Sequence, residues 1–223
     1  MTFSRLRRLA LATTTAFVTA SAAVLLPVLS PNAVGGLGTA NADCPDIEVV
    51  FARGTNEAPG LGVVGGTFVD QLRGKVGGRS VGAYAVNYPA SYDFLAAASG
   101  ANDASGHIQF MMNSCPNTRL VLGGYSQGAA VIDVIAAVPI PAIGFNSPLP
   151  PNTPDFVAGL AVFGNPSAKL GLPLTTSPVW GGRSIDLCNG GDPVCTSGED
   201  VAAHRAYAGG PTDNAANFIA GLL

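Results

Sequence analysis

The chain has 223 residues, with 11 basic against 14 acidic side chains and a formal net charge of −3. Three of the basic residues, Arg5, Arg7 and Arg8, lie at the extreme N-terminus, and the rest of the chain carries 8 basic against 14 acidic residues. Such a surface does not attract nucleic acid or anionic headgroups over distance, and nucleic acid is excluded as a partner.

The N-terminal arginines read as the basic start of an export signal. An apolar, alanine-rich run follows from about Leu9 to Leu29, and Ala40-Asn41-Ala42 offers the small-x-small pattern that a signal peptidase accepts. Pro27 interrupts the run and no second apolar span follows, so a removed signal peptide over 1–42 is expected rather than a membrane anchor. Asp43 stands before Cys44 where a lipoprotein signal needs a small residue. The expected mature chain, 43–223, is a single domain that is secreted, either released or held at the cell envelope, with no integral membrane segment.

In chain order, Asp46–Arg53 reads as a strand, followed by a glycine-rich loop Gly54–Gly62 and a helix near Val63–Lys75. Ser80–Tyr88 is a second strand, Pro89–Gly100 a loop, and Asp103–Met112 a helical stretch. Arg119–Gly123 is a third strand and Gln127–Val138 a helix with Ala130, Val131, Val134 and Ile135 on one face. Pro139–Pro154 reads as a stiff connector at the end of the molecule opposite the strands' carboxyl ends. Phe156–Phe163 and Arg183–Leu187 complete the strands, and Asn214–Leu223 closes the chain as a helix. Strands alternating with helices, each strand nearly continuous in apolar residues, predict a three-layer α/β sandwich around a central, mainly parallel sheet. Ligands then bind beyond the carboxyl ends of the strands.

Four cysteines, Cys44, Cys115, Cys188 and Cys195, all lie in the expected mature part. An even count in an exported chain points to two disulfides, with three connectivities open. The compact one closes a small Cys188–Cys195 ring and leaves Cys44–Cys115 to tie the N-terminus to the middle. A zinc site is the rival, but no Cys-x-x-Cys pair exists and the chain has two histidines. No metal or cofactor is expected.

Gly124-Tyr125-Ser126-Gln127-Gly128 falls between a short apolar strand and a helix. That setting suits a nucleophile on a tight strand-to-helix turn, with the glycines removing side chains where the turn packs. The helix N-terminus favours negative charge at the same place. Of the two histidines, His107 falls in a helix near the wrong end, whereas His204 lies in a late loop on the correct rim and is the candidate base. Asp133 lies on the helix leaving the site, Asp186 inside a strand, and Glu199 and Asp200 too close in sequence to His204. Asp192, inside the Cys188–Cys195 ring, remains as the acid, with an ordinary Gly-Asp-Pro turn as its plainer alternative. The backbone N–H of Gln127 is the expected first oxyanion donor. The second should come from the loop after the first strand, where Thr55 offers both N–H and hydroxyl.

Four segments carry a family likeness: FARGTNE at Phe51–Glu57, GGYSQGAA at Gly123–Ala130, CNGGDPVC at Cys188–Cys195 and VAAH at Val201–His204. In this order, spanning nearly the whole mature chain, they resemble the cutinase family, and most of all the exported cutinase-like esterases of mycobacteria. The resemblance implies a small α/β-hydrolase of five parallel strands without a large lid. It further implies a Ser126–His204–Asp192 triad, an oxyanion hole from Thr55 and Gln127, and bridges Cys44–Cys115 and Cys188–Cys195. Fungal cutinases place serine where Thr55 stands and apolar residues where Glu199 and Asp200 stand, and two carboxylates beside the site disfavour docking onto a waxy polymer.

Tyr92, Phe94, Leu95, Leu170, Leu172, Leu174, Val179, Trp180 and Val201 fall in rim loops, where they serve either an acyl groove or plain packing. As a group they favour an acyl chain over a charged substrate. The expectation is a monomeric serine esterase that hydrolyses short- to medium-chain, lipid-like esters through an acyl-serine intermediate, with at most transient contact to a lipid surface. An acyltransferase using the same residues and a non-catalytic lipid- or surface-binding protein are the competing classes.

Overall fold

The computed structural model describes residues 44–93, 95–136 and 143–223. The expected signal peptide and its Ala40-Asn41-Ala42 site, Phe94, and the first part of the proline-rich connector lie outside the described residues.

Among the described residues five strands form one sheet: β1 (Ile47–Ala52), β2 (Val81–Ala85), β3 (Arg119–Tyr125), β4 (Val157–Phe163) and β5 (Ser184–Leu187). They run in the order β2-β1-β3-β4-β5, and every pair is parallel. The inner strands are mainly apolar because both faces are covered; all seven residues of β4 are buried, whereas the edge strand β2 has none buried. Side chains alternate between the layers with the period of two that a pleated strand imposes. Val50, Leu120, Leu122, Leu160 and Val162 face a core shared with α2 (Ala96–Ser114) and α3 (Gln127–Ile135). Ile47, Val49, Phe51, Val121, Ala161 and Phe163 face another shared with α1 (Gly62–Arg73) and α6 (Gly210–Ala220). On that second side Phe51, Phe68 and Phe163 meet in a triangle with ring centroids 5.9–6.4 Å apart. Two short helices, α4 (Pro166–Lys169) and α5 (Val201–Arg205), follow β4 and β5 on the carboxyl-end rim.

Two local expectations need correction. The helix expected over Asp103–Met112 begins seven residues earlier, at Ala96, and takes over the end of the Pro89–Gly100 loop. Ala97, Ala98, Ala101 and Ala104 are buried, and a Cβ on Gly100 would sit 2.9 Å from Val131 and 3.0 Å from Tyr88. This turn is held by close approach of small residues, which leaves no bulky apolar period to read. Helix α3 is buried nearly all round rather than on one face: Asp133 is wholly buried while Ala130 is not. Of the two roles left open for the rim-loop apolar residues, Leu174 and Trp180 take plain packing, in the core on the α2–α3 side.

The later part of the proline-rich connector does return to the amino ends of the strands, where Leu120 N donates to Phe156 O at 3.0 Å. Gly144–Ser147 is held along α2 by Asn102, whose Nδ2 donates to Gly144 O at 2.9 Å. Both disulfides join the compact pairs, Cys44–Cys115 and Cys188–Cys195.

Candidate active site

Ser126 sits at the top of β3, where the chain turns into α3 with φ 55° and ψ −117°. A non-glycine residue in that region is strained and persists only when its surroundings over-determine it. Here they do. A Cβ on Gly124 would lie 2.2 Å from Gly128 O, and one on Gly128 would lie 1.9 Å from Ala52 O, so backbone packs directly on backbone on both sides of the serine. Ser126 N donates to Phe163 O at 2.9 Å, tying the turn to β4.

Ser126 Oγ lies 3.0 Å from His204 Nε2, and His204 Nδ1 lies 2.8 Å from Asp192 Oδ2. Asp192 is wholly buried, and its Oδ1 accepts the N–H of Val194 at 2.7 Å. Burial pushes its pKa up, but hydrogen bonds from Tyr207, His204 and Val194 outweigh that and hold it below the ordinary carboxylate value. A charged Asp192 needs Nδ1 protonated, which leaves Nε2 free to accept from Ser126 Oγ–H. An imidazole so placed can take the serine's proton as Oγ attacks.

His204 stands on α5, not in a loop as the sequence suggests. The helix is short, but Asp200 caps it: its Oδ1 accepts from Ala202 N at 2.8 Å and Ala203 N at 3.2 Å. Asp200 is therefore committed to the helix, and neither it nor Glu199 lines the cavity at Ser126. Tyr125, next to the serine, donates its O–H to His204 O at 2.7 Å and packs its ring 5.1 Å from the imidazole. Burial pushes the Tyr125 phenol up to about 12, so it remains a donor. Asp192 is presented by the Cys188–Cys195 ring, within which Asp192 N donates to Asn189 O at 3.1 Å. Asn189 Nδ2 reaches Ala203 O at 2.8 Å and so links the ring to α5.

The loop after β1 is braced from below. Glu57 accepts the N–H groups of Gly54 at 2.7 Å and Val63 at 2.8 Å, while Arg53 donates to Tyr88 O at 2.7 Å. Asn56 N donates to Ala90 O and Glu57 N to Gly54 O. The N–H groups of Gly54, Asn56 and Glu57 on either side of Thr55 are thus taken up within the protein. Gln127 N is the first of α3 and has no intrahelical acceptor. The Gln127 side chain joins the two segments, accepting from Thr55 Oγ1 at 3.4 Å and donating to Ser91 O at 2.9 Å.

A cavity of about 400 Å³ opens over Ser126, lined by Thr55, Tyr92, Tyr125, Gln127, Pro166, Val194, Val201, His204 and Arg205. Tyr92 and Val201 line it as expected, while Leu95, Leu170, Leu172 and Val179 do not. His107 plays no part: its Nε2 lies 2.6 Å from Glu48 Oε1 and its ring stacks on Tyr84 at 3.5 Å.

Behind the cavity wall lies a buried acidic pair. Asn165 caps α4, whose Pro166 lines the cavity, and donates Nδ2 to Asp186 Oδ2 at 2.8 Å and Asp133 Oδ1 at 3.3 Å. Asp133 Oδ2 and Asp186 Oδ1 are buried without a hydrogen-bond partner among the described residues. Burial first, and then the Asp186 charge, push Asp133 up to about 7; burial also raises Asp186.

Comparison with known proteins follows the same lines. A sequence model of the cutinase family matches residues 43–223. Phospholipase Culp4 of Mycobacterium tuberculosis is 53% identical over 218 residues, covering 97% of this chain and 92% of the relative. Probable carboxylesterase Culp2 of Mycobacterium bovis is 47% identical over 227 residues, with 97% of each chain covered. Among solved structures, Trichoderma reesei cutinase in complex with a phosphonate inhibitor matches with a TM-score of 0.64 and 33% identity, over 82% of this chain and 78% of that one.

Proposed function

The chain belongs to the cutinase family of carboxylic ester hydrolases, and from that premise we propose that it is a secreted serine esterase acting on short- to medium-chain, lipid-like esters. The observation that carries this reading is the hydrogen-bond line from Ser126 Oγ through His204 to buried Asp192, beside a mainly apolar cavity. In the proposed reaction Ser126 Oγ attacks the ester carbonyl carbon as His204 Nε2 takes its proton. The resulting oxyanion is held by the N–H groups of Gln127 and Thr55. His204 returns the proton to the leaving alcohol, and a water activated by the same imidazole then releases the acid from the acyl-serine. No cofactor is required. We further propose that the enzyme is a monomer and touches lipid transiently through Tyr92 and Val201, which line the cavity and are 75% and 52% exposed.

Arg205 favours a second substrate class. It lines the cavity, is exposed, and makes no ion pair among the described residues, so it offers a cation to an acyl ester that bears a phosphate. The 53% identical relative is named a phospholipase.

The test is hydrolysis by the mature protein of p-nitrophenyl esters from acetyl to palmitoyl, with a phosphatidylcholine series beside them and Ser126→Ala in parallel. A loss of at least about 10³-fold in the variant is expected on every substrate, with an optimum at short to medium chains. Full activity in Ser126→Ala would defeat the nucleophile assignment. Product carried to added glycerol rather than water would move the reading to acyl transfer.

A further inference from the structure

Tyr207 lies three residues beyond His204 and is the bulkiest of the wholly buried side chains. Its O–H donates to Asp192 Oδ2 at 2.6 Å, the same oxygen that meets His204 Nδ1 at 2.8 Å. The phenol oxygen in turn accepts the N–H of Asn189 at 2.9 Å and lies 3.5 Å from Cys195 Sγ. One hydroxyl thus ties together the acid, the disulfide ring that presents it and the segment that follows the histidine. Its ring stands edge-on to both Phe163 and His204, with interplanar angles of 66° and 82°, which fixes where the hydroxyl points. Burial and the adjacent carboxylate push the phenol well above its ordinary pKa, so it keeps its proton wherever esters are hydrolysed.

We propose that Tyr207 is a positioning residue for ester hydrolysis: its O–H occupies one lone pair of Asp192 Oδ2 and so fixes which face of that oxygen meets His204 Nδ1. The inference rests on the Ser126–His204–Asp192 assignment above. A carboxylate with no second donor at Oδ2 turns more freely and holds a proton more tightly. A phenol that only fills the core would affect stability and nothing else.

The two roles separate in a pair of variants with opposite signs. Tyr207→Phe keeps the ring and removes the donor. Its kcat should fall roughly tenfold with KM nearly unchanged, since orientation within the triad is tuned to fractions of an ångström. The acid limb of its kcat/KM–pH profile should move up by about half a pH unit or more, because a carboxylate freed of the second donor makes the coupled Asp192–His204 pair hold its proton more tightly. A 3,5-difluorotyrosine introduced at position 207 keeps the side chain but is a stronger donor, and should move the limb down. If Tyr207→Phe folds poorly, the fluorinated protein alone tests the sign. A turnover-free readout is the low-field proton resonance of His204 Nδ1–H, assigned against His107→Gln, which should shift in opposite directions in the two proteins. Profiles and resonances like those of the unaltered protein, with only the melting temperature lowered, would overturn the proposal. Failure of the underlying assignment would show separately, as activity surviving in Ser126→Ala.

Discussion

Asp133 illustrates how a single buried group sets a pH dependence. Its pKa in the folded chain, about 7, stands above the ordinary carboxylate value that the unfolded chain retains. Between about pH 4 and pH 7 the unfolded chain ionises this group while the folded chain keeps it protonated, so stability falls as pH rises through that window and levels off above it. Asp186, which faces it across Asn165, is also raised by burial and adds in the same direction. Asp133→Asn removes the cost of charging the site. The variant should melt close to the unaltered protein at pH 4 and be more stable at pH 8 by on the order of 2 kcal/mol, less than the full linkage because Asp186 shares the effect. Parallel thermal melts across pH 4–8 check this, and a constant difference over that range would refute it.

At the scale of elements, the ring closed by Cys188–Cys195 and the helix α5 together present Asp192 and His204, the proposed acid and base. Chain entropy alone predicts that replacing both cysteines with serine costs about 2.5 kcal/mol, a modest loss for a short ring. The greater effect should be on turnover, roughly tenfold or more in kcat, because Asp192, Asn189 and the Tyr207 hydroxyl lose their common frame. Calorimetry and kinetics on the oxidised protein and the Cys188→Ser/Cys195→Ser double variant separate the two; unchanged kcat would show that the ring only stabilises. Much of this frame was legible in the sequence. Two histidines, one misplaced, left His204, and the cysteine spacing pointed to Asp192. The helix around His204 was not legible, since five residues carry no apolar period and the capping role of Asp200 resembles that of any loop aspartate. Tyr125 and Tyr207 escaped for a different reason. Tyr125 bonds to a residue 79 positions away, and a tyrosine among apolar neighbours reads as core until its partner is placed. The strands, by contrast, are legible in order because each carries a short apolar run, whereas the first turns of α2 are alanine, serine and glycine and give no signal.

At the scale of the molecule, the Cys44–Cys115 bridge anchors the chain at the second residue after the expected processing site. The bridge closes a separation of 71 residues and by chain entropy stabilises by about 4.4 kcal/mol. Protein recovered from the culture medium or the cell envelope should begin at Asp43 and contain no free thiol. N-terminal sequencing with thiol titration tests this, and an intact N-terminus on the exported protein would contradict removal of the leader.

The packing of Gly124 and Gly128 against neighbouring backbone has a consequence for how such a protein diversifies. These glycines sit where no other side chain fits, yet Tyr92, Val194 and Val201, which also line the cavity, belong to other segments and bear no such constraint. The proposed nucleophile and much of the wall around it are thus built from separate stretches of chain. Selection for a new ester can rework the walls freely, and the turn that holds the serine need never be sampled again.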